Sequence, residues 1–232
     1  MAKSKSIYIC SNCGAQSAKW IGRCPSCGEW NTYVEEVIEK EKAAPGWRKS
    51  EEQKKAAKAI PIHDVPAGFE KRSETLDKEF NRVLGGGIVS GSIVLLGGEP
   101  GIGKSTLMLQ IALRQTVMKI LYVSGEESIS QIRMRASRLG MEKATHLYLL
   151  SETNTDAIFR QAREIEPDLL IVDSVQTLQS ELLDSAAGSI SQIRECAGEM
   201  QRFAKATMTP VFLIGHITKD GTLAGPKLLE HM

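Results

Sequence analysis

Five short apolar runs mark the latter part of the chain: SIVLLG at 92–97, KILYVS at 119–124, THLYLL at 145–150, DLLIVD at 168–173 and PVFLIG at 210–215. Apolar side chains at consecutive positions leave no solvent face, so these runs predict strands buried on both sides of a mostly parallel sheet. Longer amphipathic stretches separate them, STLMLQIALRQTV, ISQIRMRASRLG, TDAIFRQAREI and AAGSISQIRECAGEMQRFAKAT, and these predict helices. Strands alternating with helices give a layered α/β architecture with helices on both faces of the sheet.

Ahead of that alternation the pattern changes twice. Residues 36–65, EVIEKEKAAPGWRKSEEQKKAAKAIPIHDV, are rich in Lys, Glu and Ala, broken by Pro-Gly and almost without apolar periodicity. Such a segment buries too little apolar surface to order itself and is expected as a charged, solvated linker. Residues 1–35 hold four of the five cysteines in two close pairs with aromatic residues around them. Three parts are therefore expected: a small cysteine-rich unit over 1–35, the linker over 36–65 and an α/β domain over 66–232. A formal net charge of +1 gives no global pull toward nucleic acid or membrane, so any such partner must meet a local patch. No apolar run reaches the length of about 18 residues that a helical span needs, and no membrane partner is expected. The N-terminus MAKSKSIYICSN lacks an apolar signal core, which points to a cytoplasmic chain.

Candidate chemistry begins at the first strand-to-helix junction. Gly98-Glu99-Pro100-Gly101-Ile102-Gly103-Lys104-Ser105 fits G-x-x-x-x-G-K-[ST], the phosphate-binding loop pattern. Glycines let successive backbone N–H groups turn inward around an anion without Cβ clashes. A helix opening near Gly103 would aim its positive end at the same anion. Lys104 is expected to bridge the β- and γ-phosphates of ATP, Ser105 to give its hydroxyl oxygen to Mg²⁺, and Thr106 to lie near the α-phosphate. A glycine-rich turn with a chance Lys-Ser is the plainer alternative, but the strand before and the helix after supply the context the motif requires.

The other half of such a site is an acid that closes a buried strand. Asp173 ends DLLIVD and is expected to hold Mg²⁺ through water, although an acid followed by Ser also suits a helix cap. LYVSGEES puts Glu126 and Glu127 just past another run, where a carboxylate can serve as general base for the attacking water. Glu126 is favoured over Glu127, and either would also suit the start of the following helix. His216 follows PVFLIG, where it can report the state of the γ-phosphate to the loop ITKDGTLAGPK at 217–227 or play a structural part. Cys196, His63, His146 and His231 are expected as packing or surface residues.

Cys10-x-x-Cys13 and Cys24-Pro-Ser-Cys27 are separated by ten residues. Each pair folds two thiolates onto one point, and two such turns complete a tetrahedron around Zn²⁺. Gly14 and Gly28 stand where each turn needs room, and Trp20, Trp30 and Tyr33 are expected to form a small apolar backing. Four thiolates close the coordination sphere, so the metal is expected to be structural and to supply the folding free energy of a segment with little core. Two disulfides, a redox pair or an iron–sulfur cluster are the alternatives.

The segments YICSNCGAQSAKWIGRCPSCGEWNTYVEE, LDKEFNRVLGGGIVSGSIVLLGGEPGIGKSTLMLQIA, LYVSGEES, LLIVDSVQTL and VFLIGHITKDGTLAGPKLLEHM together resemble the bacterial DNA-repair family RadA, also called Sms. The resemblance spans essentially the whole chain. It implies a RecA-like P-loop NTPase core preceded by a four-cysteine zinc finger, with ATP, Mg²⁺ and Zn²⁺ as cofactors. The implied activity is a DNA-dependent ATPase of homologous recombination, acting on branched intermediates as a motor of the DnaB helicase type. Implied partners are single-stranded and branched DNA, a RecA-type recombinase, and further copies of the chain in a hexameric ring. Carried onto matching positions, the resemblance makes Cys10, Cys13, Cys24 and Cys27 zinc ligands, Lys104 and Ser105 the key phosphate-loop residues, Glu126 the catalytic glutamate and Asp173 the metal-site acid. Candidate DNA loops are 179–190 and 217–227. Family members continue into a Lys-Asn-Arg-Phe-Gly motif and a domain resembling Lon protease, neither of which occurs in this sequence. The chain is therefore expected to be a fragment whose sheet lacks its last strands and whose ring assembly is impaired. A nucleotide-gated switch of the same fold without motor activity is the alternative, and a small-molecule kinase is a third reading for which no acceptor lid is evident.

Overall fold

The computed structural model describes residues 5–38, 59–64, 72–140 and 144–216. Its first part is a three-stranded antiparallel sheet of β1 (Lys5–Cys10), β2 (Gln16–Ser17) and β3 (Tyr33–Ile38), in the order β2-β1-β3. Strand β3 pairs with β1 along its whole length, from Cys10↔Tyr33 to Lys5↔Ile38, so it continues past the division at 35/36 read from the sequence. Most of the expected linker lies outside the described residues.

Beyond it come β4 (Arg72–Ser73), α1 (Lys78–Val83) and β5 (Ile88–Val89), with β4 and β5 forming a small antiparallel pair. The five apolar runs then become β6 (Ile93–Gly98), β7 (Ile120–Ser124), β8 (Leu147–Ser151), β9 (Leu169–Asp173) and β10 (Val211–His216). Helices α2 (Lys104–Arg114), α3 (Ile129–Arg138), α4 (Thr155–Ile165) and α5 (Ile190–Thr207) fill the intervals. The strands form one sheet in the order β6-β10-β9-β7-β8, and every pairing in it is parallel.

Strand alternation divides the core cleanly. Leu121, Val123, Leu170, Val172, Val211 and Leu213 pack on one face with Phe159 and Ile158 of α4 and Met200 and Phe203 of α5. Ile120, Tyr122, Leu169, Ile171, Phe212 and Ile214 pack on the other with Met108, Leu109 and Ala112 of α2 and Ile132 of α3. Strands β7 and β9 are buried at every residue, whereas β6 and β8 are only partly covered. The expectation of burial on both faces therefore fails for β6 and β8, because an edge strand has a neighbour on one side only.

Helix starts follow local capping chemistry. The Ser128 and Gln131 side chains cap each other's backbone at the start of α3, and Asn154 caps α4. Ser189 Oγ accepts from Gln192 N at 3.3 Å, which opens α5 at Ile190 and leaves the predicted Ala-Ala-Gly-Ser lead outside the helix. Helix α2 begins at Lys104 with no side-chain cap on its first amides. The register sets the functional end of the sheet. Gly98 pairs with His216, Ile214 with Asp173, and Asp173 with Ser124, so the carboxyl ends of four strands open together.

Candidate nucleotide and metal sites

The loop between β6 and α2 takes the shape its glycines permit. Gly101 and Gly103 have φ of 83° and 98°, in the left-handed region that a side chain would strain, and Gly103 is the residue from which α2 starts. Uncapped amides at that start leave a helix end suited to an anion. The Lys104 ammonium is buried and donates to the carbonyls of Gly98 (2.7 Å) and Glu99 (2.8 Å), folding back onto its own loop. Burial lowers the Lys104 pKa, opposed by the attraction of Asp173 and Glu126. The strand register and the Glu126 bonds to Ser174 and His216 bring both acids to this end of the sheet.

Asp173 is only 3% exposed. Its Oδ2 accepts from the Tyr122 hydroxyl at 2.7 Å, while its Oδ1, also buried, has no partner among the described residues. A buried, unsatisfied carboxylate oxygen is costly unless a cation or its water completes it. Asp173 and the phosphate loop thus fit a hard, oxygen-seeking ion such as Mg²⁺. Burial first, and then the Asp173 charge, push the Tyr122 phenol well above its ordinary value, so it remains a donor.

The two adjacent glutamates are separated by their partners. Glu126 Oε1 accepts from Ser174 Oγ at 2.6 Å and lies 3.0 Å from His216 Nε2. Burial opposes ionisation of Glu126, but the Ser174 and His216 bonds and the His216 and Lys104 charges prevail, holding its carboxyl below the usual range. Glu127 is bound instead by the Arg135 guanidinium of α3, and its own N–H donates to Ser124 Oγ at 2.9 Å. Glu126 therefore turns toward Ser174 and His216, and Glu127 is occupied by the helix. The nearby segment 179–190 is strapped by Gln192, whose Nε2 lies 2.9–3.2 Å from the carbonyls of Ser180, Leu183 and Ser185. It carries Glu181 and Asp184 and no Lys or Arg, and the other candidate DNA loop, 217–227, lies outside the described residues.

In the N-terminal sheet, the four paired cysteines bring their sulfurs within 4.8 Å of one another. Cys10 Sγ is 3.7 Å from Cys27 Sγ, and Cys13 Sγ is 3.5 Å from Cys24 Sγ. Tetrahedral zinc with Zn–S near 2.3 Å needs sulfurs about 3.8 Å apart, so the cage fits Zn²⁺. Each turn is closed by a backbone bond, Gly14 N to Cys10 O at 2.8 Å and Gly28 N to Cys24 O at 2.9 Å. Backbone N–H groups, those of Cys27 foremost, pull Cys24 down to about 6 despite its burial. The expected aromatic backing is only partly present. Tyr33 is buried against Cys24, but Trp20 and Trp30 are 55% and 66% exposed. The cysteines and Tyr33 already fill so small an interior, and Trp30 lies instead under the Arg23 guanidinium at 5.7 Å.

The model of the AAA domain family matches residues 59–222. The chain belongs to that family. Ahead of the AAA domain, residues 8–35 match a family described as a rubredoxin metal binding domain. DNA repair protein RadA of Bacillus subtilis is 48% identical over 234 residues, covering 100% of this chain and 51% of that protein. RadA of Halalkalibacterium halodurans is 49% identical over 235 residues and RadA of Listeria monocytogenes 47% over 236, each again with 51% of the relative covered. The AAA chain thus spans about half the length of the curated relatives it matches, and the RadA resemblance holds along all of it. The crystal structure of a KaiC-like protein from Pyrococcus horikoshii shares the fold, with a TM-score of 0.55 at 20% identity over 68% of this chain and 76% of that one. Among the described residues of the AAA chain, no helix is long and apolar enough to cross a membrane.

Three residues around the AAA site were not singled out by sequence reasoning. Tyr122 gave a signal, a phenol inside an otherwise aliphatic run, and Ser174 stood beside Asp173. Gly125 is demanded by close approach. A Cβ there would sit 2.6 Å from Thr177 Cβ and 3.0 Å from Thr153 Cγ2, and nearer still to Thr177 Oγ1. No sequence pattern reveals that contact, because Thr177 comes from the turn after β9.

Proposed function

We propose that this chain is the nucleotide-hydrolysing part of a DNA-dependent ATPase of recombinational repair, a motor acting on single-stranded DNA and branched intermediates. The proposed division is a zinc finger that runs to the end of β3 at Ile38, a linker from there to 65 and a RecA-like ATPase domain over 66–232. The observation that carries the reading is that the strand register brings Lys104, Glu126 and Asp173 to one end of the sheet, where a buried Asp173 oxygen has no partner among the described residues.

In the proposed reaction the backbone N–H groups of Gly101 to Thr106 wrap the triphosphate, while Gly98, Glu99 and Pro100 shape the loop. The Lys104 ammonium leaves the Gly98 and Glu99 carbonyls for the β- and γ-oxygens. Ser105 and Asp173 would hold Mg²⁺, which would supply neutralisation of the phosphate charge. Water attacks the γ-phosphorus, Glu126 takes the proton, and ADP and phosphate result. Ser174 and His216 fix the Glu126 carboxylate, and His216, at the last residue of β10, passes its state to the segment that follows. Cys10, Cys13, Cys24 and Cys27 hold Zn²⁺ as a closed structural site.

Support for DNA as partner comes from the RadA relatives, all named for DNA repair. With no cation in 179–190, phosphate contacts must come from other segments or from neighbouring copies in a hexameric ring. A RecA-type recombinase is the proposed protein partner. The test is ATP turnover with and without single-stranded oligonucleotide. Turnover that rises with DNA supports the motor, turnover indifferent to DNA favours a nucleotide-gated switch, and no turnover in wild type with Mg²⁺ refutes the reading.

A further inference from the structure

We propose that Tyr122 is a positioning residue for the metal site, its hydroxyl locking the Asp173 carboxylate so that Oδ1 alone is presented to the cation. The inference rests on the ATPase reading above. Tyr122 lies two residues before Ser124, the cross-strand partner of Asp173, so its side chain leaves the sheet on the same face and reaches along it toward the strand end. It is 1% exposed, among the side chains of α2 and α3. A phenylalanine would fill that space equally well. Burying a hydroxyl there costs free energy unless it finds a partner, and its partner is Asp173 Oδ2 at 2.7 Å.

The bond matters because a carboxylate on its last torsion is loosely held, with broad and two-fold preferences. An aspartate at a strand end would otherwise swivel between presenting one oxygen, both or neither. Tyr122 removes that freedom by occupying one oxygen, and the other is the buried oxygen with no partner among the described residues. Partners behind a metal ligand commonly control metal affinity in this way.

The experiment separates metal binding from nucleotide binding, using Mn²⁺ and ADP as probes with the intact chain. ADP affinity is measured in EDTA, and Mn²⁺ affinity of the ADP complex by electron paramagnetic resonance. Tyr122→Phe is expected to leave ADP affinity in EDTA within about twofold while weakening Mn²⁺ by about 10- to 100-fold. Asp173→Asn is expected to weaken Mn²⁺ at least as much, and the double variant to be no worse than Asp173→Asn, since Tyr122 acts through that carboxylate. Replacing Tyr122 by 4-aminophenylalanine, which returns an N–H donor, should restore Mn²⁺ binding, whereas 4-fluorophenylalanine should not. That pair decides the matter if the phenylalanine variant fails to fold. Unchanged Mn²⁺ affinity in Tyr122→Phe overturns the inference and leaves the ATPase reading standing. So does an equal loss of ADP affinity in EDTA, which would make Tyr122 a packing residue. A wild-type chain that binds no ADP overturns both.

Discussion

Replacing Gly125 by alanine tests the close approach that sets Glu126 in place. The added carbon would stand 2.6 Å from Thr177 Cβ, where carbon contacts normally settle at about 3.5–4.0 Å, so about 1 Å of overlap must be absorbed. Thr177 is poorly able to yield, because its Oγ1 donates to Ser174 O at 2.8 Å. The turn at Gly125 is equally tied, its N–H donating to Asp173 O at 2.9 Å. Forced overpacking of this kind costs about 1–3 kcal/mol. In a domain of this size, about 2 kcal/mol lowers Tm by about 4–8 °C. The displaced turn carries Glu126, so turnover should fall by more than the lost folded fraction accounts for. Calorimetry of Gly125→Ala, Thr177→Gly and the double variant checks the cause: removing both the Thr177 Cβ and its hydroxyl relieves the clash and should give a favourable coupling of about 0.5 kcal/mol or more. A Tm within about 1 °C of wild type, or strictly additive effects, refutes the argument.

Further outcomes follow from the same geometry. Glu126→Gln should slow ATP turnover by about 10²- to 10⁴-fold while nucleotide binding, followed by a fluorescent analogue, stays intact; Glu127→Gln should act mainly on α3 through Arg135 and spare most of the turnover. Because Glu126 is held below its usual value, its ionised contacts are complete above about pH 4.3 and are lost as pH falls through the lowered value. An acid limb of the turnover profile that belongs to Glu126 should therefore lie below about pH 4.3, and a Glu126-dependent limb near neutrality would contradict the assignment. Lys104→Ala should weaken ATP by about 10- to 100-fold, the worth of charge-assisted hydrogen bonds, with Tm little reduced. Elemental analysis should find one zinc per chain, and Cys24→Ser should release it and unfold the N-terminal sheet without abolishing ATP binding. Cys13, pushed up to about 12 by burial, carries a proton in the metal-free chain, so zinc uptake should release protons to an indicator dye and acid should expel the metal.

Much of the architecture could be read from periodicity, since consecutive apolar positions become strands only where helices can cover both faces. What the pattern does not encode is lateral order: THLYLL and SIVLLG look as interior as DLLIVD, yet end at the sheet margins. The phosphate loop and the cysteine pairs were legible because ligand chemistry fixes their spacing within a few residues. Glu126 and Glu127 were not separable along the chain. Their difference lies in Ser174, His216 and Arg135, which the fold delivers from other elements. The misplaced tryptophans follow from scale, because a unit whose buried side chains are Ile9, Cys10, Cys24 and Tyr33, with Cys13 and Cys27 half-buried, has no room for an indole.

One consequence of the strand order concerns width. The strand that ends in the phosphate loop and the strand that ends in Asp173 are not neighbours, because the strand ending in His216 runs between them. Two ladder spacings of about 4.8 Å set those two strands nearly 10 Å apart, and Asp173 stands two residues short of the level of Gly98. The intervening strand is thus a spacer of fixed gauge. Its final side chain, that of His216, meets Glu126 from this central position, so whatever moves the carboxylate is felt at the last residue of the spacer.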